Sequence, residues 1–260
     1  MAPHCGGSRE LLLCVVSLAS IVCGHSIRAA VRHSLVNGAD QVPKDAANAA
    51  DWWDHKADER MQHTSTAYVM EKASDWKAFL PRVNWAGKRV LDYGIGGGYL
   101  GEVVLRNYSV ASYTGVDISN RALDAASKTL QPWSNKVSFH LTPVRFQPLR
   151  PDIFVCQQVI QHFPSVPYFE EFLENVNSCG ANELMLHFRQ SKDGTTYSND
   201  AYGQDKGTTR NVMFALLTSK EFIVERLTNY ELKWTDSRPM CCNTYGVYTG
   251  WKRKALAAPQ

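Results

Sequence analysis

The stretch Arg89-Val90-Leu91-Asp92-Tyr93-Gly94-Ile95-Gly96-Gly97-Gly98-Tyr99-Leu100-Gly101 constrains this chain more than any other. An apolar, β-type run ends at an acidic residue, turns on alternating glycines and enters a helical pattern. Strand, glycine turn and helix in that order present backbone N–H groups and a helix N-terminus to a nucleotide-like ligand. Two spacings overlap here. Asp92-x-Gly94-x-Gly96-x-Gly98 is a tight alternating turn behind a carboxylate, whereas Gly96-x-Gly98-x-x-Gly101 satisfies the dinucleotide fingerprint G-x-G-x-x-G, which alone is a weak signal.

The pattern on either side sets the fold class. After the turn, Leu100, Val103 and Val104 have the i, i+3, i+4 spacing of a helix face. Strands follow at Ser112–Asp117, Val137–Leu141, Asp152–Gln157 and Glu183–Arg189, separated by a helix capped by Ser119 and a helix carrying Phe169, Phe172, Leu173 and Val176. Thr218-x-x-Glu221 reads as a capping box, and Tyr230–Trp234 with Tyr245–Trp251 as a strand pair joined across Pro239. Strands alternating with helices imply an α/β, doubly wound, mostly parallel seven-stranded sheet with an antiparallel last strand and helices on both faces.

At 260 residues, the chain has room for one such domain with a proper core. Its net charge of +3, without a dense Lys/Arg run, gives no argument for nucleic acid. Of seven cysteines, none stands in a C-x-x-C pair or a Cys/His cluster, so no metal site is expected. Cys156 falls inside an apolar strand and reads as a small buried hydrophobe.

Residues 1–24 read as a signal peptide or other targeting segment: Arg9 precedes about 14 mostly apolar residues, short of the ~20 that span a bilayer. The secretory pathway or an organelle is the expected destination, and a retained membrane tether is the alternative. Residues 25–44 form a linker and residues 45–82 an N-terminal helical cover. Residues 83–254 form the main domain. Within the cover, Trp76 and Phe79 read as packing residues, while Trp52, Trp53 and Tyr68 are equally suited to shielding a ligand. Residues 190–210 are polar, hold Tyr197 and Tyr202, and read as a lid-like loop at the ligand edge.

Asp117 ends the second strand about 19 residues past Gly98, where an acidic side chain takes ribose hydroxyls, so a ribose-bearing ligand is expected from either spacing. Asp92 separates them, since a carboxylate at this strand end suits an amino group and would repel a pyrophosphate. The Asp92-to-Gly98 turn resembles the first motif of class I (Rossmann-like) S-adenosylmethionine-dependent methyltransferases. Asp152-Ile153-Phe154-Val155-Cys156-Gln157-Gln158-Val159-Ile160-Gln161-His162-Phe163-Pro164 resembles the fourth motif of their small-molecule type. The resemblance implies S-adenosyl-L-methionine as cofactor, with Asp92, Gly94, Gly96 and Gly98 at the methionine part and Asp117 at the ribose. It also implies Ile118 on the adenine face and Gln157 near the reactive methyl. Where the family often carries an Asp after the third strand, this chain has Leu141-Thr142-Pro143, which leaves the adenine contact to Thr142 or backbone.

His162 is the candidate base, since an imidazole titrates near neutrality; the alternative is a helix-start residue that orders the loop. The reaction implied is in-line methyl transfer to a small-molecule acceptor with an O, N, S or C nucleophile. Methylation of a protein N-terminal amine stays open, as do, further off, an NAD(P)-dependent oxidoreductase and a non-catalytic binding relative. An Asn/Asp-Pro-Pro-aromatic signature for flipped bases is missing at Gln157-Gln158-Val159-Ile160, which argues against base amines.

Overall fold

The Ile153-Phe154-Val155-Cys156 run is buried along its whole length, as a strand with parallel neighbours on each side and helices above and below has to be. In the computed structural model, residues 49–51, 53–54, 76, 79–191, 197–198, 216–240 and 244–255 are described, all within the unit Asp45–Gln260. The targeting segment, the linker, Trp52, Tyr68 and most of the lid-like loop lie outside the described residues. Among those described, no helix is long and apolar enough to cross a membrane.

Five strands run parallel: β1 (Arg89–Tyr93), β2 (Ser112–Asp117), β3 (Val137–Leu141), β4 (Ile153–Cys156) and β5 (Glu183–Ser191). After β6 (Tyr197–Ser198) and β7 (Leu216–Leu217), which pair with each other, come β8 (Tyr230–Met240) and β9 (Thr244–Arg253). The main sheet has the order β3-β2-β1-β4-β5-β9-β8, with β9 antiparallel to both its neighbours. The expected seven-stranded sheet with one reversed strand is what forms. The chain winds outward from β1 to β3 and then returns to β4 on the other side of β1. That reversal opens a crevice at the C-terminal ends of β1, β2 and β4, where α/β sheets bind ligands.

Period-2 alternation along β1 divides the core into two layers. Leu91 and Tyr93 face α3 (Val166–Ser178) and α4 (Lys220–Arg226), where Phe146, Phe154, Phe163, Phe169 and Phe172 pack ring against ring. Val90 faces the opposite layer, built from Val104 of α1 (Tyr99–Asn107), Ala126 of α2 (Asn120–Thr129), Trp85 and Tyr113. Trp76 and Phe79 are buried in this second layer, with Phe79 stacked on Tyr248 at 6.0 Å, so both are packing residues as their spacing suggested. Cys156 and Cys179 are free and buried, and burial pushes both thiols up, the behaviour of small hydrophobes.

Two local expectations are corrected. The cap of α4 is Ser219, which accepts from the Phe222 N–H at 3.1 Å, rather than Thr218 in a box with Glu221. Thr218 is taken by the sheet, its N–H donating to the Arg189 carbonyl at 2.9 Å, so the first residue free to cap is one further on. Pro239 lies within β8, opposite Tyr245, rather than in the connection. β8 is an edge strand, where a missing N–H leaves no neighbour unpaired.

Candidate active site

The glycine turn is pinned to the sheet by its own backbone. The Gly94 and Ile95 N–H groups both donate to the Val116 carbonyl of β2, at 2.7 and 3.1 Å, and Gly98 donates back to Ile95 at 3.0 Å. Gly94, Gly96 and Gly98 all have left-handed φ values of +75°, +53° and +82°, the conformation that favours a residue without Cβ. Gly94 lies under Val159 of the segment after β4, where a Cβ would stand 2.2 Å from Cγ2. Over Gly96, by contrast, a Cβ would meet no atom of the described residues within 4 Å, so among them the turn is open at that point. Gly101 sits against Leu130 and Tyr113, each 3.0 Å from where a Cβ would be. It serves helix packing and not ligand approach.

Asp117 at the end of β2 accepts from Gly96 N–H at 2.9 Å through one oxygen and from Ser119 N–H at 3.0 Å through the other, with the half-buried Ile118 N–H also contributing. Burial raises its pKa, and these N–H donors oppose the rise; the nearby Asp54 adds to it. Asp92 is 3 % exposed, and its Oδ2 accepts from the Tyr113 hydroxyl at 2.7 Å. Burial pushes it up to about 7, with the Tyr113 bond pulling the other way and Asp117 adding a smaller upward push. Gly115 stands opposite Asp92 on β2 and has no side chain, so Tyr113 reaches the carboxylate diagonally. The Asp152 that opens the β4 motif is not at the site. It pairs with Arg89 at 3.0 Å, at the opposite edge of the sheet.

On the far side of the crevice, the Thr142 N–H donates to the Asp117 carbonyl at 2.9 Å. Nearby, the phenols of Tyr93 and Tyr168 are 3.0 Å apart and hydrogen-bonded to each other. At the exit of β4, Gln157 is half-buried and its Oε1 is buried without a hydrogen-bond partner among the described residues. Gln158 has a left-handed φ of +58°, unusual for a residue with a side chain, and its N–H donates to Nδ1 of the fully buried His187 at 3.2 Å. That bend feeds the 3-10 turn Ile160–His162, which carries His162 to the mouth.

A helical segment with Ala49, Trp53 and Asp54 lies across this edge. Trp53 meets the His162 ring edge-on at 5.0 Å, and Asp54 accepts from the Ser119 hydroxyl at 2.5 Å and from Arg121 N–H at 3.4 Å at the N-terminus of α2. A carboxylate there is favoured by the helix dipole. Ser119 therefore caps α2 through Ala122 N–H at 3.1 Å and latches the cover at the same time. Ser119→Ala is expected to lose about 1–2 kcal/mol of stability, read from the urea midpoint.

All nine residues expected at the site fall on this one edge of the sheet: Asp92, Gly94, Gly96, Gly98, Asp117, Ile118, Thr142, Gln157 and His162. Asp54, Tyr113, Gln161, Tyr168 and His187 were missed. Asp54 had no local signal at all, being 65 positions from the serine it binds. Among the described residues no group of His, Cys, Asp and Glu is arranged to hold a metal ion.

The sheet order and the helices on its two faces define a Rossmann-like α/β fold. Residues 91–183 match a family model described as a methyltransferase domain. Similar curated proteins include the ubiquinone biosynthesis O-methyltransferase of Bordetella pertussis, 30 % identical over 132 residues, covering 48 % of this chain and 50 % of the relative. Its namesake from Nitrosospira multiformis is 30 % identical over 118 residues, covering 44 % and 46 %. The chain thus spans about half the length of the curated relatives it matches. Among solved structures, magnesium protoporphyrin IX methyltransferase from Synechocystis PCC 6803 with bound SAH superposes with a TM-score of 0.57 at 16 % identity, covering 80 % of this chain and 99 % of that one. The DhpI–SAH complex gives 0.54 at 18 %, covering 80 % and 96 %. Over residues 91–183 the chain is thus similar to a methyltransferase domain, and it shares the fold of these solved methyltransferases.

Proposed function

We propose that the protein transfers a methyl group from S-adenosyl-L-methionine to a small-molecule acceptor by in-line displacement. The observation that carries this reading is the pairing of Asp117 with the open Gly96 turn. A carboxylate fixed by backbone N–H groups stands at the ribose position, next to backbone that a ligand can approach. The residues fit the cofactor in two further respects. The carboxylate of Asp92 suits a cationic amino group behind the turn, and the buried Gln157 Oε1 is an acceptor awaiting a donor. The ubiquinone biosynthesis O-methyltransferase relatives and the SAM or SAH bound in the solved neighbours support the same reading.

The cofactor would supply an electrophilic methyl on a sulfonium. The chain's own task is then alignment and exclusion of water. Gly94 to Gly98 and Asp92 would hold the amino-acid end, Asp117 and Ile118 the nucleoside, with backbone at Thr142 beside the adenine. Gln157 would line the path of transfer. His162 is placed to take a proton from the acceptor, and Trp53 above it to keep water out.

Calorimetry tests the assignment. S-adenosylmethionine and S-adenosylhomocysteine are expected to bind and NAD not to. Asp117→Ala is expected to weaken S-adenosylhomocysteine at least ten-fold, since it removes the group that takes the ribose hydroxyls. Binding of NAD alone would replace this reading with a dinucleotide enzyme.

A further inference from the structure

Gln161 is a buried polar side chain at the mouth to which the proposed reaction gives no task. It lies in the turn Ile160–His162 and is 2 % exposed. Its amide nitrogen is 3.2 Å from Nε2 of His162, so one end of the amide holds the ring of the candidate base. The other end, Oε1, is buried without a hydrogen-bond partner among the described residues. A buried amide oxygen left without a donor costs stability, and a leucine or methionine of similar volume would avoid that cost. Four positions earlier, Gln157 Oε1 is in the same condition. Both orphaned acceptors lie on the one segment that follows β4.

We propose that Gln161 is a specificity-determining residue of the acceptor subsite: its Oε1 receives the O–H of a hydroxyl carried on a flat aromatic acceptor. The proposal rests on the methyl-transfer reading. A hydroxyl fits because it brings a proton to an oxygen that has none. An ether or a carboxylate would set lone pairs against lone pairs, and the subsite rejects them for that reason. A flat ring fits because the walls at this point are aromatic. Trp53 stands edge-on to His162 at 5.0 Å, and its half-buried ring offers a face to a planar group. Gln161 then performs two tasks with one amide, holding Nε2 of His162 on one side and the acceptor hydroxyl on the other.

The test uses the full chain saturated with S-adenosylhomocysteine and two probes of nearly equal shape, phenol and anisole, followed by NMR titration. The wild-type protein is expected to bind phenol at least ten-fold more tightly than anisole. Gln161→Leu is expected to equalise the two, with unchanged affinity for S-adenosylhomocysteine and a thermal midpoint equal to or above that of the wild type. Gln161→Met, unbranched like glutamine, should behave the same way and serves if the leucine variant does not fold. Equal binding of phenol and anisole by the wild type, or a phenol preference that survives in a folded variant, overturns the proposal. Failure of the wild type to bind S-adenosylhomocysteine would instead bring down the methyl-transfer reading on which it rests.

Discussion

Gly94→Ala is expected to destabilise the domain by about 3 kcal/mol and to abolish binding of S-adenosylmethionine. Two costs add. An alanine held at a φ of +75° costs roughly 1–2 kcal/mol. Its methyl would also arrive 2.2 Å from Cγ2 and 2.9 Å from Cγ1 of Val159, a stiff β-branched side chain that cannot swing aside, and overpacking of this kind costs about 1–3 kcal/mol. Ligand binding suffers more than stability. The turn and the segment after β4 form opposite walls of the crevice, and the methyl group pushes them apart. Urea denaturation and calorimetry read the two effects separately. In the double variant Gly94→Ala/Val159→Ala the steric part should return while the backbone part remains. A single variant with wild-type stability would show that the contact between the two walls is not rigid.

The second large effect is that of pH, and it comes from Asp92. Its folded-state pKa of about 7 lies above the ordinary value of 3.8. The native state therefore keeps a proton that the unfolded chain has already released, and the stability this residue contributes is full below pH ~4 and lost as pH rises toward ~7. Three units of displacement correspond to roughly 4 kcal/mol. Asp92→Asn keeps an oxygen to accept from Tyr113 and removes the charge. It should match the wild type near pH 4 and exceed it by a few kcal/mol at pH 8, so the difference between the two denaturation series isolates this group. An ionised Asp92 next to a cationic amino group is favourable, so cofactor binding near pH 7 is expected to release a proton. Calorimetry in buffers of different ionisation enthalpy would detect it, and Asp92→Asn should lose both the release and much of the affinity. If the wild type and the variant run parallel from pH 4 to pH 8, Asp92 is ionised throughout and the reading of its environment fails. Buried ionisable groups that lower stability are kept where a ligand needs them.

Asp92 and Gln161 stand in the same relation to the fold. Each is polar and almost fully buried, and each costs the fold stability, Asp92 through its ionised form and Gln161 through an unpaired oxygen. Ser119 shows a different economy, since one hydroxyl both starts α2 and holds Asp54 of the cover.

Much of this was legible in the residues. The helix cap at Ser119 depends on a contact three positions away, the glycine turn has a recognisable residue spacing, and burial of one strand face or helix stripe repeats with a short period. Strand limits at Ser112–Asp117 and Val137–Leu141 were read correctly for that reason. The box at Thr218 failed because a backbone bond to Arg189, on another strand, had already claimed the residue. Pro239 was misplaced because its tolerance depends on β8 lying at the sheet edge, which no local pattern states.

By itself, then, the sequence determined the class of sheet, the glycine turn and the carboxylates at the ends of β1 and β2, because these follow from local sterics and periodicity. Only the tertiary structure decided what those groups meet. It closed Gly94 under Val159, buried Asp92 against Tyr113, and set both Trp53 and Gln161 against His162. These contacts join residues tens of positions apart, apart from Gln161 and its neighbour. Their energies come from burial and from bonds left unmade, which exist only once the chain has closed around them.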